Sequence, residues 1–322
     1  MNDSYIKLTL NLRCHILIKQ TYGRIDRIFE NVPTTFRAGI LIGGIFLFWV
    51  IEGVFPLFEF GYKKVRHAAL NLILNGFFVV IGLGFAGILV WSSEFVTANE
   101  FGVLQWIEMP VLAQAVIGVM LLDFFGAYLI HWIEHKVKFM WKFHLVHHSD
   151  TTVDVTTGLR HHPGEAVFRM IFTIIGVIAI GAPIWIIFLY QSISALFAHL
   201  THANINMPKK IDRALSWVFI TPLMHKVHHH YEQPLTNTNY GNIFAIWDRM
   251  FGTFAEVNDI SELKYGIDTH MDPKENDDLG NLLKIPFQPY RPPTDAKFAE
   301  DSRNRDHERW HLTRYLTFQL YS

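Results

Sequence analysis

The stretch HWIEHKVKFMWKFHLVHH occupies residues 131–148, and a shorter related stretch, HKVHH, occupies residues 225–229. The first contains an HxxxH pair followed by an HxxHH group, and the second repeats the HxxHH group. Residues three or four positions apart lie on the same face of a helix, so each group is predicted to present its imidazoles together. The three groups contain His131, His135, His144, His147, His148, His225, His228 and His229.

Eight imidazoles exceed the needs of one metal ion. A site that keeps room for a substrate takes about three to five protein ligands, so the pattern predicts two ions. Imidazole suits iron, zinc and copper, and the residues alone leave the metal open. Cys14 is the only cysteine, which excludes an internal disulfide and a cysteine-ligated cluster. The alternative is that these histidines are interfacial residues or hydrogen-bonded core residues. That explanation suits a lone histidine better than eight histidines at this spacing.

The composition predicts a membrane protein that does not bind nucleic acid. Hydrophobic residues make up 50% of the 322-residue chain, which is high for a soluble domain of this size. The formal net charge is −1, and the basic residues form no long run. Neither nucleic-acid binding nor a polybasic lipid-binding tail is therefore expected.

Three apolar stretches, at about 38–58, 69–91 and 110–133, are long enough to cross a hydrocarbon core of roughly 30 Å. A fourth block, at about 166–200, is interrupted by Gly181-Ala182-Pro183 and is predicted to be a helical hairpin. The expected fold is all-α and integral to the membrane, with about three transmembrane helices plus the hairpin and a cytosolic helical cap that holds the di-metal site. Glu52 interrupts the first stretch, which is alternatively a shallow or re-entrant helix.

The order HxxxH, HxxHH, HxxHH, the hydrophobic hairpin, and the run NYGNIFAIWDRMFGTF at 239–254 resemble the fatty acid hydroxylase/sterol desaturase superfamily over roughly residues 115–270. These are membrane di-iron enzymes, so the resemblance implies two iron ions on the eight histidines, with zinc able to occupy the site in a purified sample. It also implies a ninth ligand, His202 in HANIN, and no catalytic residue beyond the ligands. Trp132 stands where many relatives have arginine, which leaves the place within the superfamily open.

Further residues are predicted to surround the ligands or to support them. RHHPGE at 160–165 matches the family's R-x-H-P-x-E element. Asp123 lies inside the third apolar stretch, where an ionisable group must be paired or functional. It is predicted either to contact the metal ligands or to be a structural anchor. The predicted set is Asp123, Arg160, His162, Glu165, His199 and Asn239.

Composition and the resemblance together divide the chain into an N-terminal segment (1–37), a membrane region (38–110), a hydroxylase-type catalytic domain (111–256) and a polar, cytoplasmic C-terminal tail (257–322). No cleaved signal peptide is expected, and the tail is expected to pack on the catalytic domain. The loop before the third span contains no Lys or Arg, whereas basic residues follow that span and the hairpin. This bias predicts a multi-pass protein with its active site on the cytoplasmic side, although the basic N-terminus conflicts with it if the first stretch spans.

The resemblance implies that the chain hydroxylates or desaturates a lipid, such as a sterol, a fatty acyl chain or an ether lipid, with O2 and external electrons. Because no flavin, haem or iron–sulfur signature is present, a separate electron-donor protein is expected. One alternative is an acyl-CoA-type lipid desaturase, which has similar histidine boxes. Another is a membrane metal transporter or metal-binding protein, which would place its ligands along the middle of several spans.

Overall fold

The computed structural model describes residues 34–257 and 259–296, so most of the predicted N-terminal segment lies outside the described residues. Helices dominate this part of the chain, and it contains isolated bridges but no strand. The α-helices are α1 (Thr34–Val54), α2 (Lys64–Ala98), α3 (Val103–Trp106), α4 (Val111–Asp123), α5 (Ile130–Lys136), α6 (Lys138–His148), α7 (Pro163–Ile180), α8 (Ile184–His202), α9 (Lys209–Leu215), α10 (Pro222–His228), α11 (Ile246–Met250), α12 (Pro273–Asn276) and α13 (Leu279–Lys284).

Four stretches are long and apolar enough to cross a bilayer: Lys64–Trp106, Val111–Lys136, Pro163–Ile180 and Ile184–His202. They confirm the helical membrane fold and the predicted second and third spans. They also show that each arm of the predicted hairpin reaches spanning length. By their length and composition, the four apolar helices indicate a membrane protein.

The predicted first span, about 38–58, needs correction. Its helix ends at Val54, and the apolar part, Ala38–Val54, is shorter than the four candidate spans. The helix stops because a residue that precedes a proline disfavours the α conformation, and Pro56 instead forms an isolated bridge with Ile205.

Glu52 lies in protein rather than in lipid. Its buried carboxylate accepts hydrogen bonds from the backbone N–H groups of Val155 (2.9 Å) and Asn204 (3.0 Å), and it lies 2.7 Å from Lys64 Nζ. The charge that interrupts the first apolar stretch therefore joins the end of α1 to two loops, and one of these follows directly after α8.

The turn between α7 and α8 is formed by Gly181 in the left-handed region (φ 73°). A Cβ atom at this position would collide with the carbonyl oxygen of Phe101, so the backbone conformation and the close approach both require glycine. Pro183 then caps the start of α8. This is the predicted break at Gly181-Ala182-Pro183. It reverses the direction of the chain, so that the end of α8, at His202, lies beside His147 of α6.

The described part of the C-terminal segment packs on α6. A buried cluster joins Trp141, Leu145 and Val146 of α6 to Ile267, Leu282, Ile285 and Ala296 of that segment, and Leu70 and Leu74 of α2 complete it. The polar segment thus covers the outer side of the helix that supplies three of the predicted metal ligands.

Candidate metal centre

The nine histidines predicted to bind metal meet in two adjoining groups. Within each group, one ring nitrogen per residue lies within 4.8 Å of all the others, and every ring is buried. The rings of His148 and His229, one from each group, stack with their centroids 4.9 Å apart. The first group is His131, His135, His144, His148 and His228, and the second is His147, His202, His225 and His229.

Each HxxHH motif is divided between the two groups. In α6, His144 and His148 belong to the first group, whereas His147 belongs to the second. At α10 the arrangement is reversed, since His225 and His229 join the second group. The three rings of the α6 motif lie together, with their centroids 4.8–5.4 Å apart, as a shared helix face predicts, but they contribute to both groups. The i, i+4 pair stays together, and the histidine between them turns to the other group.

Three rings of the first group are oriented by one loop. The nitrogen Nδ1 of each ring faces an oxygen acceptor: His131 the Tyr240 carbonyl (2.8 Å), His228 the Thr238 carbonyl (2.7 Å) and His135 the Asn237 side-chain oxygen (3.2 Å). An oxygen of this kind only accepts, so we assign the proton to Nδ1 and the lone pair to Nε2. All three Nε2 atoms are buried without a hydrogen-bond partner. Lone pairs left unpaired inside the protein are suited to a bound cation.

The ring of His144 is oriented by a carboxylate. Its Nδ1 donates to Glu165 Oε1 (2.9 Å), which leaves the lone pair on Nε2, 3.1 Å from His148 Nε2. A carboxylate behind a histidine fixes the ring and raises its basicity as a ligand.

Ring spacing in the second group also fits a metal ion. His202 Nδ1 donates to the Ala198 carbonyl (2.7 Å), and its Nε2 lies 3.0 Å from His225 Nε2 and 3.2 Å from His147 Nε2. Two nitrogens bound at about 2.1 Å to one ion, at a right angle, would lie about 3.0 Å apart. The residues present therefore fit the pair of ions that the sequence predicts.

Burial keeps these imidazoles neutral. Desolvation lowers the pKa of His144 to about 4, even though the Glu165 carboxylate opposes the shift, and it lowers the pKa of His228 to about 3. Burial likewise brings the pKa values of His147, His148, His225 and His229 well below the ordinary range. Neutral imidazole is the form that binds metal, so the site is ready for ligation at neutral pH.

A buried ion network lies behind His144. Arg169 contacts Glu134 (Nη2 to Oε2, 2.7 Å) and Glu165 (Nε to Oε1, 2.8 Å), and His161 Nδ1 also lies 2.9 Å from Glu165. The sequence prediction included Glu165 but missed Glu134, His161 and Arg169. Two signals were available, because Glu134 lies inside HWIEH and Arg169 follows Glu165 by one helical turn.

His161 contacts both groups. Its ring stacks on that of His147, with the centroids 4.6 Å apart and the planes 10° apart. With His144 and Glu165 it forms a third set of possible ligands, which shares His144 with the first group.

Asp123 and Asn239 are anchors of the polypeptide backbone. Asp123 accepts hydrogen bonds from the N–H groups of Ile243 and Phe244, both at 3.2 Å. Asn239 has a positive φ of 52°, and its side chain bonds to Met224 and Ala255. Both residues hold the segment that contains Tyr240, so they act on the ligands through the backbone.

Arg160 and His162 connect the domain to the C-terminal segment. Arg160 is buried, and it donates to the carbonyl oxygens of Val146 (3.0 Å) and Asn276 (2.8 Å). His162 caps the start of α7, and its Nε2 donates to the Leu283 carbonyl (3.2 Å). Both side chains therefore support the scaffold.

His199 is buried but belongs to neither histidine group, and it lies close to Gly44 of α1, where an added Cβ atom would be 3.8 Å from the ring. Lys226, which the sequence prediction missed, is fully buried beside the ligands. Its Nζ donates to the His202 carbonyl, and desolvation lowers its pKa to about 7.

Sequence comparison addresses the same segment. Residues 115–253 match the family described as fatty acid hydroxylase, and this range contains all nine histidines. The segment is a fatty acid hydroxylase domain. The resemblance seen in the histidine motifs is thereby confirmed, and the two histidine groups lie wholly within the hydroxylase domain.

Relatives of the hydroxylase domain are named as lipid-modifying oxygenases. The ornithine lipid hydroxylase of Rhizobium tropici is 33% identical over 163 residues, which is 51% of this chain and 47% of that protein. Alkylglycerol monooxygenase from Xenopus tropicalis is 32% identical over 45% of this chain and 31% of its own length, and that from Homo sapiens is 26% identical over 75% and 52%. The chain thus spans about half of these relatives or less. No solved structure matches it.

Proposed function

We propose that this chain is a membrane lipid hydroxylase that uses O2 and two iron ions held by the nine histidines. The observation that carries the proposal is the pair of adjoining, buried imidazole groups with unpartnered Nε2 atoms, inside a hydroxylase domain. The names of the relatives favour hydroxylation over desaturation.

The first group of five histidines would hold one ion and the second group of four the other. When bound, the two iron ions would supply the redox chemistry that activates O2 for attack on a C–H bond. Zinc could occupy the same nitrogens in a purified sample, since imidazole suits both metals. The chain itself orients the rings through the loop that contains Thr238 and Tyr240, and it excludes water by burying every ligand.

A lipid substrate fits the position of the site. His131 and His135 lie in the last turns of the stretch Val111–Lys136, and His202 is the final residue of Ile184–His202. The metals would therefore lie at one end of the spans, within reach of an acyl chain that enters from the bilayer. The distribution of basic residues supports a cytoplasmic position for this end, where a separate protein would deliver electrons.

Lipid profiling of a deletion strain tests the proposal. The strain is complemented with the wild-type gene, with His147→Ala, or with His230→Ala, whose histidine belongs to neither group. We expect an oxygenated lipid that is lost in the deletion strain and restored by the wild type and His230→Ala but not by His147→Ala. Identical lipid profiles in all strains would contradict the proposal. The transporter alternative lacks support, because the relatives are hydroxylases and the histidines lie at one end of the spans.

A further inference from the structure

Exposed apolar side chains form a patch on the hydroxylase domain, at α9, the turn that follows it, and the end of α11. Each of these side chains is between 41% and 65% exposed. A contiguous apolar surface on a protein marks a contact with a partner or a membrane. We call the following six residues the apolar patch: Ile211, Leu215, Trp217, Val218, Met250 and Phe251.

The two parts of the apolar patch are joined to each other and to a candidate membrane span. The guanidinium group of Arg249 lies 4.4 Å from the centre of the Trp217 ring, which links α11 to the turn after α9. On the other side, the ring of Phe251 stacks on Phe124 (5.8 Å) and Tyr128 (5.4 Å). Both of these aromatic residues belong to the stretch Val111–Lys136. The apolar patch therefore continues the side of a spanning helix.

The helix α9 separates apolar from basic side chains. Ile211 and Leu215 are four residues apart and share one face, while Lys209 and Arg213 share a different face. Lys210 is also exposed, and no residue of α9 is buried. A helix with this pattern suits the boundary of a bilayer, where apolar side chains reach the acyl chains and cationic side chains meet anionic headgroups.

We propose that the apolar patch inserts into the interfacial region of the leaflet at the histidine end of the spans, and that Lys209, Lys210 and Arg213 bind anionic lipid headgroups there. Continuity with the spanning helix favours a bilayer over a soluble protein or a second copy of the chain. The part of the patch on α9 and the turn after it lies between α8, which ends at His202, and α10, which begins at Pro222. It therefore fixes to the membrane the segment that leads into the last histidine motif.

Depth-dependent quenching of a fluorophore tests the insertion. Cys14 is the only cysteine, so a Cys14→Ser background accepts single labels. Ile211→Cys and Met250→Cys report from the apolar patch, and Lys274→Cys, at an exposed position of α12, is the control. The full chain is labelled with an environment-sensitive dye and placed in nanodiscs whose lipids carry a nitroxide near the glycerol end of the acyl chain. We expect quenching at 211 and 250 to be several times that at 274.

Weak quenching that is equal at all three positions would overturn the insertion. Disulfide cross-linking between two copies of the Ile211→Cys protein, with weak quenching, would do the same and would assign the apolar patch to a dimer contact. Neither measurement involves metal or turnover, so either failure would leave the proposed hydroxylase function standing.

The charge contribution is tested with Lys209→Gln, Lys210→Gln and Arg213→Gln combined in the Ile211→Cys protein. We expect quenching to rise with the phosphatidylglycerol content of the nanodiscs, to fall with salt, and to lose most of this dependence in the triple variant. Lys274→Gln with Lys284→Gln removes charges elsewhere and should keep the dependence. A triple variant that responds to phosphatidylglycerol like its parent would overturn headgroup binding by these residues.

Discussion

Replacing Glu165 by glutamine should weaken metal binding at the first histidine group. The Glu165 carboxylate is fully buried, and it receives donors from three side chains, His144, His161 and Arg169, at 2.8–2.9 Å. Because all three donors contact Oε1, glutamine can keep an accepting oxygen there, but it removes the negative charge and puts an amide group where Oε2 is buried without a partner. His144 would then lose the negative charge that orients its ring and strengthens its Nε2 as a ligand.

The expected magnitude follows from the number of contacts. A hydrogen bond to a charged group contributes about 1.5–3 kcal/mol, and breaking a buried ion pair costs about 3–5 kcal/mol. Arg169 keeps Glu134 at 2.7 Å, so the loss is partial, and we expect about 2–4 kcal/mol of folding stability to disappear. Loss of a group that supports a metal ligand lowers metal affinity by about 10–100-fold.

Two measurements test this prediction. Elemental analysis during a chelator titration gives the metal retention, and thermal unfolding of the metal-free protein gives the folding stability. Glu275→Gln is a matched control, because Glu275 contacts Arg291 at the same 2.8 Å but both side chains are about two-fifths exposed. An exposed ion pair contributes at most about 1 kcal/mol, so this variant should behave like the wild type. Equal metal retention in Glu165→Gln and Glu275→Gln would refute the role assigned to Glu165.

Three further predictions concern the ligands and the scaffold. His228→Ala should lower the metal content from two ions toward one per chain and abolish activity with the protein still inserted; elemental analysis should find His230→Ala unchanged, and an active, metal-replete His228→Ala would contradict the site. The metal-free protein should lose stability as the pH falls from about 6.5 toward 4, because the unfolded histidines bind protons near 6.5 while burial holds the pKa of His144 at about 4; denaturant titrations at several pH values should show this loss, and a stability that stays constant over this range would contradict the prediction. Arg160→Met should destabilise the chain by about 2–4 kcal/mol, since the Asn276 carbonyl oxygen loses its Arg160 donor and the Val146 carbonyl oxygen keeps only the Ser149 hydroxyl; an unchanged melting temperature would show that these bonds contribute little.

The histidines of the site could be predicted because they occur in short motifs with helical spacing. Each motif is a short helical segment, and nitrogen-rich side chains inside an apolar sequence have few functions other than metal binding. The break between α7 and α8 was predictable for the same reason, since Gly181 and Pro183 end one helix and begin the next through their own backbone conformations. The end of α1 was not predicted, although Pro56 was a local signal, because the apolar sequence continues beyond it.

The division of each HxxHH motif could not be predicted from spacing. Within one helix, His144, His147 and His148 differ by a fraction of a turn, and only the position of α10 decides which ring meets which partner. The pair of Arg169 with Glu134 is likewise a contact between two separate helices, although the i, i+4 pair of Arg169 with Glu165 was visible. A pattern along the chain therefore identifies the histidines that meet but not the two groups that they form.

The orientation of the rings depends on atoms that leave no mark in the sequence. Two of the acceptors behind the first group are backbone carbonyl oxygens, those of Thr238 and Tyr240, and every residue type has one. The sequence marks instead the residues that hold this loop in place. Asn239 has the positive φ and bonds to Met224, and Asp248 accepts from the N–H of Tyr240 at 2.8 Å. Residues of the run at 239–254 thus hold the backbone of this loop in position. If a carbonyl oxygen of the loop moved, the histidine ring that donates to it would no longer be held in one tautomer and one orientation.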